Sequence, residues 1–281
     1  MHPANFDYHR ANSIDEAESL YKANADASFL AGGHSLIPAM KLRLAEPGTL
    51  VDIAGIDDLK GISRDGDTIR IGALTTHAEV ESSDVVNDAC TALAEAAGMI
   101  GDPQVRNRGT IGGNVAHADP ASDYPGILMA LGATIVTSGR SIAVDDFFTG
   151  LFETALDEGE MIKEIQVPAL GDGSGAAYAK FFNPASRYAV VGVGAVVSMD
   201  NGSCSSCRIG VTGAADHVFR ASAAEEALTG SDLGDEAIAA AAAKVADGKE
   251  MLSDLAASAV YRAHLCGVIG KRAITQAISR T

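Results

Sequence analysis

The sequence predicts an α+β protein of two domains. Strand-like segments rich in β-branched residues alternate with short helices along the first part of the chain, and alanine-rich helical segments close it. The chain has 281 residues, which exceeds the usual size of a single domain. Three glycines in five residues, at Gly171-Asp172-Gly173-Ser174-Gly175, mark the best candidate for a linker between the two parts.

Before this linker, short elements alternate. Ser13-Ile14-Asp15-Glu16 is typical of a capping box and predicts a helix through about Asn24. Strands are predicted at Ala27–Leu30, Thr49–Ile53, Thr68–Ile71, Thr134–Thr137, Ser141–Val144 and Glu160–Val167. Further helices are predicted at Thr76–Glu81, Thr91–Met99 and around Pro125–Leu131.

After the linker, the predicted order is strands first and helices last. The strands are Ala176–Phe182, Ala189–Met199 and Cys204–Thr212. The helices are Ala221–Leu228, Asp235–Ala246 and roughly Ser253–Ile278. We therefore expect one sheet packed against a helical layer.

The charge of the chain argues against nucleic acid and membrane partners. There are 37 acidic and 21 basic residues, which gives a formal net charge of −16. Such a surface is repelled by nucleic acid and by anionic lipid. Residues 1–13 lack the apolar stretch of a signal peptide, and the longest apolar run, Ala189–Val197, is too short to cross a bilayer. We expect a cytoplasmic protein without membrane insertion.

The cysteines do not predict a metal site. Cys204-Ser205-Ser206-Cys207 is a single C-x-x-C pair, whereas zinc or an iron–sulfur cluster needs four ligands. Alternation along a strand would also place Cys204 and Cys207 on opposite faces of the sheet. No Ser–His–Asp or Cys–His arrangement is visible, so no catalytic residue is predicted within this chain.

Two glycine-rich segments about 80 residues apart carry the functional signal. They are Ala31-Gly32-Gly33-His34-Ser35-Leu36 and Thr110-Ile111-Gly112-Gly113-Asn114. Consecutive glycines permit positive φ and allow successive amides to face one anion. Two such loops predict a dinucleotide whose diphosphate is held from both sides. Neither a Gly-x-Gly-x-x-Gly fingerprint nor a P-loop is present, and the first segment taken alone fits a plain turn equally well.

Polar residues follow the second glycine segment, in Asp119-Pro120-Ala121-Ser122-Asp123. Their carboxylates and hydroxyl can hydrogen-bond the ribose or ribityl hydroxyls of a dinucleotide. The alternative for Asp119 and Asp123 is a purely local role in a turn and at the N-cap of the next helix.

Residues 31–43 and 110–125 together resemble the FAD-binding medium subunit of molybdenum hydroxylases, of the carbon monoxide dehydrogenase type within the xanthine dehydrogenase family. The resemblance covers essentially the whole chain. It implies a two-part FAD-binding domain of the PCMH type over residues 1–172, with its subdomains split near 55–60. It further implies a C-terminal domain over residues 173–281, built from a small antiparallel sheet and a helical bundle.

The resemblance also implies a set of FAD contacts. Residues 31–36 and 110–114 would contact the cofactor, with the amides of 31–35 and 110–114 on its diphosphate. Asp123 matches a further contact position, and Ile162 falls on or beside another. Lys180 matches a lysine close to the flavin, where an ammonium would stabilise the anion of the reduced ring; the alternative is a surface lysine. Tyr188 lies where the family places residues near the isoalloxazine, or is simply a core tyrosine at a strand entry.

The function implied is that of an electron relay. A large subunit with a molybdenum cofactor would oxidise the substrate, a small [2Fe-2S] subunit would pass electrons on, and FAD on this chain would reduce an external acceptor. The three subunits would form a heterotrimer. Two alternatives stay open: a stand-alone FAD-dependent oxidoreductase, and a non-redox assembly factor that binds a nucleotide. A yellow bound cofactor and co-purifying subunits would separate the three.

Overall fold

The computed structural model describes residues 2–281, which form three sheets of three or more strands and one two-stranded hairpin. The first sheet is parallel, with its strands in the order β1-β3-β2. Its strands are β1 (Asp7–Arg10), β2 (Ala27–Leu30) and β3 (Thr49–Asp52), and its helices are α1 (Ile14–Ala23) and α2 (Leu36–Lys41). Ser13 caps α1 as predicted, but the Glu16 carboxylate accepts from the amide of Asn12, so the capping box is incomplete.

The second sheet has five strands in the order β4-β5-β10-β6-β7 and follows a 3-10 turn at Asp57–Leu59. Its strands are β4 (Ile62–Asp65), β5 (Thr68–Gly72), β6 (Thr134–Thr137), β7 (Ser141–Ala143) and β10 (Ile162–Pro168), and a separate hairpin holds β8 (Phe148–Gly150) and β9 (Glu153–Thr154). The accompanying helices are α3 (His77–Ser82), α4 (Asp84–Gly98), α5 (Pro103–Arg106), α6 (Ile111–His117), α7 (Asp123–Leu131) and α8 (Val144–Phe147).

The third sheet is an antiparallel meander covered by helices. Its strands are β11 (Ser174–Phe182), β12 (Ala189–Asp200), β13 (Ser203–Thr212) and β14 (Phe219–Arg220), and its helices are α9 (Ser222–Leu228), α10 (Asp235–Ala243) and α11 (Ala259–Ile278). The predicted α+β class is therefore confirmed. The domain boundaries at 172/173 and near 55–60 stay a prediction. Among residues 2–281, no helix is long and apolar enough to cross a membrane.

Several element boundaries differ from the sequence prediction because capping residues decide them. α4 begins at Asp84 rather than Thr91, since the Ser83 hydroxyl accepts from the amide of Val86. A non-helical backbone at Cys90 (φ −163°) interrupts this helix. The residues before Cys90 therefore do not continue the helical periodicity of those after it, and the sequence pattern did not reveal them. α11 begins after Ser258, which caps it, rather than at Ser253.

The two cysteines of the C-x-x-C pair lie on the same side of the sheet, so the prediction of opposite faces is wrong. The register between β12 and β13 shifts, because Cys204 pairs with Met199 whereas Ser206 pairs with Ser198. This β-bulge adds one residue and reverses the alternation. Cys204 and Cys207 consequently pack in one core, 2% and 7% exposed.

Helix α7 joins the part of the chain that forms the second sheet to the third sheet. All nine of its residues are buried. Glycines permit a close approach of backbones: a Cβ at Gly194 would lie 2.8 Å from the carbonyl oxygen of Gly126, and a Cβ at Gly210 would overlap that same oxygen. The helix can therefore press its backbone onto β12 and β13, which fixes how the C-terminal domain sits on the rest.

We predict that Gly210→Ala destabilises the protein by about 2 kcal/mol, because the added methyl group overpacks a backbone contact that cannot yield. The free energy of unfolding in urea measures this. Gly171→Ala is the matched control, since nothing lies within 4 Å of its added Cβ. Equal stability of the two variants would contradict the close docking of α7.

Candidate cofactor-binding site

A cleft of about 850 Å³ runs between all three parts of the molecule. The first part contributes the end of β2 and the glycine segment after it. The second part contributes the start of α6 and residues 156–162, and the C-terminal domain contributes residues 186–188. The volume lies within the range of sites for small molecules and cofactors.

The first glycine segment is a turn with free amides. Gly33 has φ +73°, a conformation that favours glycine. Within residues 2–281, the amides of Gly32, Gly33, His34 and Ser35 have no protein acceptor, and all four residues line the cleft. Successive unsatisfied amides are the groups with which a backbone binds an anion.

The second glycine segment is the first turn of α6 rather than a loop. Thr110 is its extended N-cap, with φ −115°, and its hydroxyl accepts from the amide of Gly113 at 3.2 Å. The amides of Ile111, Gly112 and Asn114 donate to backbone carbonyls at 2.9 to 3.0 Å. The expectation that both segments offer free amides is therefore wrong for residues 111–114, because the carbonyls of Thr75, Ala73 and Thr110 and the Thr110 hydroxyl accept from them.

The glycines of the second segment serve close packing. A Cβ at Gly112 would lie 2.7 Å from the carbonyl oxygen of Ala73. The first segment also packs against the residues just before the second one, since a Cβ at Gly32 would overlap the carbonyl oxygen of Arg108. Small residues thus bring the free amides of the first segment next to the start of α6.

A buried polar cluster lies behind the cleft wall. The Lys180 ammonium donates to the Asp123 carboxylate and to the carbonyl of Met99, each at 2.9 Å, and the Tyr178 hydroxyl donates to Asp123 at 2.7 Å. Burial raises the pKa of Asp123, against the opposing effects of Lys180 and Tyr178, and burial lowers the pKa of Lys180. The C-terminal domain thus supplies both partners of a carboxylate that lines the cleft.

The structure brings most of the predicted site residues to the cleft. Those that line it are Ala31, Gly32, Gly33, His34, Ser35, Leu36, Thr110, Gly112, Gly113, Asn114, Asp123, Ile162 and Tyr188. Ile111 is fully buried, and Lys180 is 3% exposed behind Asp123, so neither forms part of the cleft wall. Tyr188 is 42% exposed, which argues against a core tyrosine.

His77 lines the cleft without having been predicted, because the sequence shows only a helix start at this position. Its ring is 3% exposed, lies 5.3 Å from the Tyr124 ring, and has no partner for Nδ1 among the described residues. Burial lowers the pKa of His77 to about 4, and the nearby His34 and Arg106 act in the same direction. The ring is therefore neutral at pH 7.

Aromatic side chains line both the N-terminal and the C-terminal side of the cleft. Tyr21 and Phe29 stack with ring centroids 4.8 Å apart, and Tyr188 lines the C-terminal side. Free amides suit a diphosphate, and aromatic faces suit planar rings. The residues present therefore fit an extended flavin dinucleotide.

A two-part fold with such a cleft defines an FAD-binding oxidoreductase subunit. Residues 4–170 match the model for the FAD binding domain in molybdopterin dehydrogenase, and residues 176–277 match the CO dehydrogenase flavoprotein C-terminal domain. The chain belongs to the family of FAD-binding medium subunits of molybdenum hydroxylases, as the resemblance predicted.

Relatives and solved structures agree with this assignment. The carbon monoxide dehydrogenase medium chain of Hydrogenophaga pseudoflava is 40% identical, over 100% of this chain and 99% of its own. A subunit of the 6-hydroxypseudooxynicotine dehydrogenase complex of Paenarthrobacter nicotinovorans is 38% identical, over 100% and 97%. Carbon monoxide dehydrogenase from Hydrogenophaga pseudoflava superimposes with a TM-score of 0.97 at 42% identity, covering 100% and 99% of the two chains. The predicted FAD cofactor and the two-domain fold are thereby confirmed.

We predict that His77 makes stability depend on pH. Its folded pKa of about 4 lies below the ordinary 6.5, so the unfolded chain binds the proton first and stability falls as the pH decreases from about 6.5 to about 4. The full effect is about 3 kcal/mol. It is measured as the difference between wild type and His77→Gln in the free energy of unfolding at pH 7 and pH 4. Identical pH dependence of the two proteins would show that the ring is not held neutral.

Proposed function

We propose that this chain holds FAD in the three-part cleft and relays electrons as the medium subunit of a molybdenum hydroxylase. The observation that supports the proposal best is the row of free amides from Gly32 to Ser35, which faces the same cleft as the start of α6 and Asp123. When bound, FAD supplies the redox chemistry. The residues of this chain bind, orient and shield it.

The site residues have unequal roles in this proposal. The amides of Gly32–Ser35 bind the diphosphate. The second segment, Thr110–Asn114, contributes close backbone packing and the Asn114 side chain. Asp123 and Ile162 contact the cofactor from the second part of the molecule, and Tyr188 contacts its ring system from the C-terminal domain. Lys180 acts from behind Asp123 through their ion pair.

The partners belong to the proposal as well. We infer a large subunit with the molybdenum cofactor, on which the substrate is oxidised, a small [2Fe-2S] subunit that delivers electrons, and an external acceptor. The relatives support this inference, since they are named as a medium chain and as a subunit of a dehydrogenase complex. A cytoplasmic location is consistent with four free, buried cysteines in the described residues.

Reconstitution tests the proposal. The purified chain should bind one FAD, and the loaded chain should form a stable complex with the molybdenum and [2Fe-2S] subunits of a related hydroxylase from the same organism. Within that complex, the substrate should reduce the flavin only when the [2Fe-2S] subunit is present. FAD reduction by a substrate with this chain alone would contradict the relay and would favour a stand-alone oxidoreductase. Absence of FAD binding would contradict the site itself.

We predict that Gly32→Ala weakens FAD binding about tenfold or more, because the added Cβ forces the first segment away from the Arg108 carbonyl at the cleft. Fluorescence titration of the apoprotein with FAD measures the dissociation constant. Gly48→Ala, just before β3 of the same sheet, is the control, since its added Cβ would meet its nearest neighbour at an ordinary 3.6 Å. Unchanged affinity of Gly32→Ala would argue against the first segment as the diphosphate site.

We predict that Lys180→Met lowers the flavin midpoint potential by about 30 mV, a tenfold change in the equilibrium constant of a two-electron couple. The physical reason is that the buried Asp123 carboxylate loses its cation next to the cleft. A redox titration of the loaded protein at pH 8 measures the potential. Asp123→Asn combined with Lys180→Met restores neutrality and should return the potential toward wild type; an unchanged potential in Lys180→Met alone would contradict the expectation.

A further inference from the structure

The side chain of Asn114 is oriented by a second residue. Asn114 lies in the first turn of α6 and lines the cleft. Its Oδ1 accepts a hydrogen bond from the Ser122 hydroxyl at 2.6 Å. This bond occupies the oxygen end of the amide, so the NH₂ end is the one available to an anionic or polar ligand. Ser122 is itself only 2% exposed.

The position of Ser122 depends in turn on the C-terminal domain. The Thr212 hydroxyl, at the end of β13, lies 2.6 Å from the carbonyl oxygen of Ser122 and 2.9 Å from that of Pro120. Its single hydrogen serves these two acceptors. Two backbone bonds hold the same segment, since the amides of Gly213 and Ala189 donate to Pro120 and Ala121.

Thr212 does not itself reach the cleft. It is 1% exposed and is absent from the cleft wall. Its hydroxyl nevertheless joins the C-terminal domain to the segment from which Ser122 points at Asn114. The hydrogen bonds thus run in series from Thr212 to the Ser122 backbone, and from the Ser122 hydroxyl to the Asn114 amide.

We propose that Thr212 is a positioning residue of the FAD site, which fixes the orientation of the Asn114 amide through Ser122. The proposal rests on the proposed function, because it takes the cleft as the FAD site. In this arrangement the C-terminal domain contributes to FAD binding through a residue that never touches the cofactor. The contribution is preorganisation: the Asn114 amide need not be ordered when FAD binds.

The test is a double-mutant cycle on FAD affinity in the full-length chain, with Thr212→Val and Asn114→Ala. Thr212→Val keeps the shape of the side chain and removes the hydroxyl. We expect each single variant to raise the FAD dissociation constant about tenfold, as loss of one hydrogen bond does. If Thr212 acts through Asn114, the double variant should be hardly weaker than either single one. Additive losses would overturn the proposal and leave Thr212 a structural role only.

Three further variants keep the result interpretable. Thr212→Ser retains the hydroxyl and should restore wild-type affinity. Ser122→Ala should reproduce the loss seen with Thr212→Val. Thr229→Val is the matched control, because its hydroxyl also donates to a backbone carbonyl of the C-terminal domain, that of Glu225, outside the cleft; its FAD affinity should equal that of wild type.

A spectroscopic readout separates positioning from loss of folding. In the apoprotein, the side-chain NH₂ resonances of Asn114 should have shifts displaced from random-coil values in wild type and Thr212→Ser. In Thr212→Val they should move toward random-coil values, while the unfolding transition persists. Wild-type FAD affinity in Thr212→Val would overturn the inference but not the site. Failure of the wild-type chain to bind FAD would instead overturn the proposed function, so the two failures are distinguishable.

Discussion

The buried ion pair between Asp123 and Lys180 is the contact on which the arrangement of the molecule depends. It joins the start of α7 to β11, and Tyr178 completes the coordination of the carboxylate. Removing one member of such a pair typically costs 3–5 kcal/mol, because the other charge stays buried without a partner. The same carboxylate lines the cleft. Domain docking and the proposed cofactor site therefore share one residue.

Close backbone packing is the second constraint, and it explains where the glycines lie. Gly126, Gly194 and Gly210 let α7 approach the third sheet, whereas Gly32 and Gly112 let the two glycine segments approach their neighbours at the cleft. None of these five glycines has a positive φ, whereas Gly33 does. At the five positions glycine is therefore required for space rather than for conformation. The glycines of the two motifs are therefore needed for tertiary packing as much as for anion binding.

Much of the fold could be predicted from the sequence, since capping residues, β-branched strands and alanine-rich helices are local signals. β1 could not, because Asp-Tyr-His-Arg at an exposed edge shows no alternation of polarity. The glycine segments and Asp123 were found from local residue chemistry, and the resemblance to a family assigned them to FAD. The neutral, buried ring of His77, the bulge between Cys204 and Cys207 and the hydroxyl of Thr212 could not be found, because each depends on residues distant in the chain.

Because the cleft is lined by three parts of the molecule, the C-terminal domain contributes directly to the site at which FAD is proposed to bind. A ligand that contacts all three parts binds only where they are docked, so its binding free energy adds to the stability of the docked state. The contribution is reciprocal: contacts that hold residues 120–123 in place improve the site without touching the ligand. The proposed electron relay needs a flavin held in one orientation toward the partner subunits. A site completed by the docked domain meets that need, because a chain with loosely packed domains would neither bind the cofactor tightly nor present it to a partner subunit in a single orientation.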